Sequence, residues 1–189
     1  MSDSNADLTA MAAEPRRYSI DEPLRGGGSI HIRAILPGDK ERLHEHFRGL
    51  SRDSVYFRFM GIRRDLTSGD LKRLTELDFK NHVALAATIS GPGGEQFAGV
   101  GRYLRLADPR HAEIAFAVLD EHQGRGIGTL LLKHLGYIAR AAGIAEFEAG
   151  VLGGNRKMLE VFENSGFEVR RSFGSGTVRV HLSMGGPNR

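Results

Sequence analysis

One carboxylate, set in an otherwise apolar strand pattern, stands where it could move protons. In the segment AEIAFAVLDEHQGRGIGTLLL, residues 112–132, Glu113 alternates with Ala115 and Ala117, so the three share one face of an extended stretch. The small alanines leave room for a substrate. A carboxylate on such a face would be partly desolvated and its pKa raised toward the operating pH, which suits a general base. The residue reads equally well as an edge carboxylate facing solvent or paired with an arginine such as Arg102. The strand pattern then breaks at Gln123-Gly124-Arg125-Gly126-Ile127-Gly128-Thr129 and passes directly into a helical pattern. Glycines let backbone N–H groups approach an anion, and the positive end of the following helix favours it. The turn therefore reads as a pyrophosphate cradle with Arg125 as a further charge contact, or else as a turn in which glycine only supplies unusual backbone angles.

Other phosphate-binding patterns fit less well. A Walker A loop ends in Gly-Lys-Ser/Thr, whereas Gly128 is followed by Thr129 and Leu130. A dinucleotide fingerprint counted from Gly124 needs a sixth-place glycine and meets Thr129. Further along, Asn155 follows Leu152-Gly153-Gly154 and reads as a helix N-cap or a ligand contact. Met158 and Phe162, at helical spacing from it, read as core or as the lining of a channel. Tyr56 and Arg58 either border a substrate groove or form the polar edge of a packed helix. His44-Glu45-His46 lacks the four-residue spacing of a zinc protease helix, His122 reads as an exposed loop residue, and no metal ligands are assigned.

The elements that must position these groups are legible from periodicity and turn residues. A strand over 29–36 stops at Pro37-Gly38, Asp39 is placed to cap a helix over 40–50, and helices follow over 51–59 and 68–77. Strands over 82–90, 96–106 and 111–119 are joined by Gly-Pro-Gly-Gly and Ala-Asp-Pro turns. A helix over 128–142, a strand over 144–152, a helix over 155–165 and strands over 167–172 and 177–184 complete the chain. Strands in a run, then strands alternating with helices, predict an α/β (mixed α+β) domain: a mostly antiparallel mixed sheet of about seven strands flanked by helices.

Composition narrows the classes. Residues 1–28, rich in Ser, Asp, Ala and Pro and ending in Gly26-Gly27-Gly28, read as a disordered N-terminal arm and not a signal peptide; residues 29–184 form one domain and 185–189 a tail. The absence of cysteine excludes a thiol nucleophile, disulfides and Cys-based zinc sites, and suits a reducing cytoplasm. With 26 Lys and Arg against 23 Asp and Glu and only short basic clusters, no nucleic-acid face is expected. No stretch approaches the roughly 18 consecutive apolar residues of a membrane span, so no membrane partner is expected.

The turn resembles the acyl-CoA loop of the GNAT superfamily, whose pattern of Gln or Arg, two residues, Gly, one residue, Gly or Ala is met by Gln123, Gly126 and Gly128. The resemblance spans Ile30 to Met184 and is closest to the bacterial protein-lysine acetyltransferase branch, on SRDSVYFRF at 51–59, the segment 112–128 and VLGGNRKMLEVFENSGF at 151–167. It implies the GNAT fold, acetyl-CoA as co-substrate and an amine acceptor, either a protein lysine or a small amine. It further implies Glu113 as catalytic base, the backbone of Phe116, Ala117 and Val118 along the pantetheine arm with an amide polarising the thioester carbonyl, and Asn155 at that arm. Direct attack without an acyl-enzyme follows. No tyrosine occurs after Tyr137, so the late tyrosine acid of many GNAT enzymes has no counterpart. A non-catalytic acyl-CoA sensor is the reading from another class, and a homodimer is one assembly the sequence allows.

Overall fold

The computed structural model describes residues 3–91, 93–174 and 176–185. Helix α1 (Asp3–Ala13) precedes strands β1 (Ser19–Pro23) and β2 (Ser29–Ala34). Helices α2 (Lys40–Gly49), α3 (Arg52–Phe59) and α4 (Ser68–Thr75) follow, then strands β3 (His82–Gly91), β4 (Gly94–Arg105) and β5 (His111–Val118). The chain closes with α5 (Ile127–Ala141), β6 (Glu146–Leu152), α6 (Arg156–Glu163), β7 (Glu168–Gly174) and β8 (Thr177–Ser183). Among the described residues eight strands form one sheet in the order β1-β2-β3-β4-β5-β6-β8-β7. Every neighbouring pair is antiparallel except β5–β6.

Two apolar clusters clothe the sheet. In α5 the side chains of Ile127, Leu131, Leu132, Leu135, Ile138 and Ala139 recur at helical spacing and are all buried, covering one face of the sheet with α1 and α6. On the other face, Leu43 and Phe47 of α2, Val55 of α3 and Leu66 pack on Ala84, Ala86, Phe97 and Val100. That second layer stops at β5. The outer part of the same face, on β6, β8 and β7, carries polar residues such as Glu146, Glu148, His181 and Arg170.

The sheet has one strand more than the sequence reading, and the extra strand corrects it at the N-terminus. Residues 3–23, read as part of a disordered arm, form α1 and β1, and β1 pairs with β2 from Ser19↔Arg33 to Pro23↔Ser29. Few residues are responsible: Tyr18 and Leu24 are buried in the core, with Ala12 beside them. The Tyr18 hydroxyl donates to Nδ1 of buried His134 at 2.6 Å, and Nε2–H of His134 donates to Glu22 at 2.8 Å. Lys133 bonds the same carboxylate; burial raises the Glu22 pKa, but Lys133 and His134 together hold it below the usual carboxylate range. Met1, Ser2 and residues 186–189 of the expected tail lie outside the described residues, as do Pro92, in the predicted Gly-Pro-Gly-Gly turn, and Ser175. Tyr18→Phe leaves Nδ1 of a buried histidine without a donor, so it should cost about 1–3 kcal/mol of stability. Urea unfolding reads this directly; an unchanged midpoint would mean that the Tyr18–His134 bond contributes nothing to the fold.

Asp39 also departs from expectation. It precedes α2 but does not cap it: the Pro37-Gly38 turn points its carboxylate back to Leu36 N at 2.8 Å and to Arg33 and Arg42. Ser51, Thr67 and Asn155 do cap their helices, accepting from the amides of Ser54, Asp70 and Met158.

Candidate active site

Strands β5 and β6 are registered through His111↔Glu146, Ala112↔Phe147 and Glu113↔Glu148, and then part. Beyond that point β5 stays with β4 to Val118, and β6 with β8 to Leu152. Successive backbone groups of a strand face alternate sides, so residues 114–118 turn part of their N–H and C=O groups into the gap. The gap is the inner end of a cleft of ≈ 910 Å³ that runs to the N-termini of α5 and α6.

Twelve of the residues expected at the acyl-CoA site line this cleft: Phe116, Ala117, Val118, Gln123, Gly124, Gly126, Ile127, Gly128, Thr129, Asn155, Met158 and Phe162. Phe162 is both core and lining, its ring 5.6 Å from that of Phe116. Gly124 and Gly126 have φ of 76° and 86°, values that other residues reach only with strain, and Gly126 starts α5 without any side-chain cap. The first amides of α5 therefore face the cleft as donors with the helix dipole behind them. Asn155 caps α6 through Oδ1, at 3.2 Å from Met158 N, which leaves its amide NH2 for the cleft.

Gln123 braces the turn. Its Nε2 donates to Val118 O at 3.1 Å, and its Oε1 accepts from Lys157 at 2.8 Å, tying β5 to α6. Asp120 ties the same loop to α3, accepting from Ser51 N at 3.0 Å, from Ser51 Oγ and from Ser54 Oγ. These bonds outweigh burial and hold the Asp120 carboxyl below its ordinary range.

Arg125 is the exception among the expected ligands. Its guanidinium points away from the cleft, to Gly27 O at 3.4 Å. The cations that line the cleft are Arg25, Arg58, Arg156 and Lys157, and of these the sequence reading had singled out only Arg58. Ser54, Phe57 and Arg58, with Ser51 a turn earlier, present one face of α3 to the cleft, whereas Tyr56 faces outward at 47 % exposure. The capping pattern of Ser51 and Ser54 was the available signal for that face. His122, expected in an exposed loop, also lines the cleft.

Glu113 shares its face with Ala115 and Ala117, as the alternation required, but it is exposed, not half-buried. Ala115 and Ala117 line the cleft, and Glu113 stands one strand repeat beyond them, about 6–7 Å along β5. Glu113 acts on Arg58, whose pKa is lowered by burial and partly restored by this carboxylate. Arg102 does not pair with Glu113: it is buried under α4, donating to Leu74 O at 3.2 Å and His82 Nε2 at 3.1 Å, and burial beside Arg58 pushes it down to about 9. Next to Glu113 on the open face, His111 and Glu148 pair at 3.2 Å and His181 and Glu146 at 2.7 Å.

The arrangement fits a CoA thioester. Helix N-terminal amides and the side chains of Arg25, Arg156 and Lys157 meet at the outer end for phosphates, and strand amides line the inner end for an amide-bearing arm. The Acetyltransferase (GNAT) family matches residues 58–167. An acetyltransferase of Pseudomonas aeruginosa is 27% identical over 160 residues, 85% of this chain and 86% of its own length. Acetyltransferase Pat of Mycolicibacterium smegmatis is 34% identical over 148 residues, 78% of this chain but 44% of that protein. The crystal structure of the GNAT domain of S. lividans PAT superposes with a TM-score of 0.80 at 39% identity, covering 87% of this chain and 96% of that one. A Salmonella typhimurium structure solved with its cofactor acetyl-CoA shares the fold, with a TM-score of 0.66 at 19% identity over 82% of this chain and 94% of that one. A family that uses acetyl-CoA thus matches more than half of the chain, including β5, the glycine turn and α6, and the protein belongs to the GNAT family of acetyltransferases.

Proposed function

We propose that the protein transfers the acetyl group of acetyl-CoA to the side-chain amine of a lysine on another protein, with Glu113 as general base. The observation that carries the acceptor class is the openness of the face around Glu113. Leu104, the β4 partner of Glu113, is 49% exposed, and Met60, just past α3, is exposed with its methyl group against Gly150 of β6. An apolar rim around an uncovered carboxylate suits a lysine presented on a macromolecular surface. A small amine would call for an enclosing pocket. The likeness at 39% identity to the GNAT domain of S. lividans PAT supports the same branch.

Bound acetyl-CoA supplies an acyl thioester at the inner end of the cleft. The backbone at Phe116–Val118, held by the Gln123 bond to Val118 O, presents an N–H to the thioester carbonyl oxygen where negative charge develops. A lysine ammonium with a pKa near 10.4 must lose a proton before its nitrogen can attack; at neutral pH that costs roughly 4–5 kcal/mol. Glu113 accepts this proton through a bridging water, because its carboxylate lies one strand repeat from the alanines that floor the cleft. The nitrogen bonds to the acyl carbon, the carbon–sulfur bond breaks, and the thiolate leaves toward solvent, where it takes up the second proton that the nitrogen sheds on becoming an amide. The cysteine-free sequence agrees with an activity placed in the cytoplasm.

The test is release of free CoA from acetyl-CoA with lysine peptides, folded and unfolded proteins, and small amines as acceptors. Turnover of lysine-containing proteins well above free amines is expected. Turnover confined to a polyamine or amino acid would move the assignment to small-molecule acetylation, and tight CoA binding without turnover of any acceptor would make the protein an acyl-CoA sensor.

A further inference from the structure

We infer that Arg25, from the N-terminal segment, is a phosphate ligand of the CoA site, so that the β1–β2 turn is a working wall of that site. This rests on the placement of CoA in the cleft argued above. Three independent features hold Arg25 there. The turn is bonded to the cradle in both directions: Arg25 N donates to Arg125 O at 3.3 Å, and the Arg125 guanidinium returns to Gly27 O at 3.4 Å. The aliphatic stem of Arg25 lies across Gly126, with Cγ, Cδ and Nε each 3.4 Å from where a Cβ on that residue would sit. Glu22 and Tyr18, a few residues earlier, are fixed to Lys133 and His134 on α5, the helix whose N-terminus forms the cradle.

The charge has a use at that position. Arg25 is exposed, lines the cleft and has no carboxylate partner among the described residues. Arg125, the residue that the motif offered as the phosphate contact, is spent on Gly27 O; its place over Gly126 is taken by Arg25. The run Gly26, Gly27 and Gly28, with φ of 86°, 102° and 80°, lets the turn curl back onto the cradle. A guanidinium held at the N-terminus of α5 adds charge-assisted hydrogen bonds to those of the helix amides, and a phosphate group is the chemistry both recognise. Two parts of CoA could supply it, the pyrophosphate or the 3′-phosphate.

Calorimetric titration of the full chain with CoA and with 3′-dephospho-CoA tests the assignment. Arg25→Gln should weaken CoA binding about tenfold, while Arg25→Lys keeps most of the affinity and both variants unfold at the wild-type midpoint. A loss seen with CoA but not with the dephospho compound assigns the 3′-phosphate, and an equal loss with both assigns the pyrophosphate; either supports the inference. Wild-type affinity in Arg25→Gln, or an equal loss in Arg25→Lys, overturns it. If the wild-type protein binds neither compound, the CoA site itself is misplaced and the inference falls with it.

Discussion

Glu113→Gln should lower turnover of a lysine acceptor by roughly 100-fold or more at neutral pH while leaving the CoA dissociation constant unchanged. The substitution keeps the shape of the side chain and removes the group that takes the proton. Because Glu113 lies outside the lining of the cleft, at the rim beyond Ala115, the binding of acetyl-CoA has no reason to respond. The deficit should also shrink as pH rises, since the fraction of neutral amine grows about tenfold per unit until the lysine pKa near 10.4 is approached. Stopped assays of CoA release from pH 7 to 9.5, with binding titrated in parallel, give both quantities. A loss of less than about threefold would take the base role away from Glu113. Its lateral neighbour Glu148, already engaged by His111, would then be the next carboxylate to substitute.

The second large effect concerns acid. Between pH 6.5 and pH 4 the folded state should lose several kcal/mol of stability, an amount comparable with the roughly 5–15 kcal/mol of a whole domain. Three histidines are held neutral. Burial pushes His46, His82 and His134 from 6.5 down to about 4, with the positive charge of Arg102 adding to the effect at His46 and His82 and the Glu22 carboxylate opposing it at His134. Two have a bond that needs the neutral ring: His82 Nε2 accepts from Arg102 and His134 Nδ1 accepts from Tyr18; His46 Nδ1–H donates to Phe97 O at 2.9 Å, a bond that only partly offsets the effect of burial. With a folded pKa below the unfolded one, the unfolded chain binds more protons in this window. Stability is therefore complete above pH 6.5 and falls as pH descends, by up to about 1.4 kcal/mol per unit for each histidine. Glu22 and Asp39, whose carboxyls are depressed by their ion pairs, act in a lower window, below about pH 4.5, so the two sets separate along the pH axis. Urea unfolding at half-unit steps measures the slope, and His46→Leu should remove one proton from it. A flat profile from pH 7 to 5 would mean that these rings titrate as they do in the unfolded chain.

How much of this was legible in the sequence depended on how local the cause was. The glycine turn and α5 were read almost to the residue, because strand alternation, positive-φ glycines and a helical apolar stripe all act within a few positions. The direction of a side chain leaving that turn was not legible. Arg125 and Arg25 exchange roles only because the β1–β2 hairpin folds onto the cradle, a contact between positions a hundred residues apart. The hairpin itself was missed because its composition is that of a loop; a few apolar side chains, Tyr18 and Leu24 among them, carry its attachment. For Glu113 the alternation gave the correct face and left its exposure open, since that follows from α2, α3 and α4 covering the sheet only as far as β5. The partners of Arg102, on α4 and β3, likewise lie beyond the reach of spacing.

The parting of β5 from β6 has a mechanical side. Three registered residue pairs tie a five-stranded leaf to a three-stranded leaf, joined otherwise by side-chain bonds such as His111–Glu148 and Gln123–Lys157 and by packing on α5 and α6. Resistance to sliding of one leaf past the other is therefore weakest along that line. A molecule lodged there, touching Ile114–Val118 on one flank and Ala149–Val151 on the other, is a cross-tie between the leaves. A ligand that fills the cleft would add stiffness across the middle of the protein that three strand pairs do not supply.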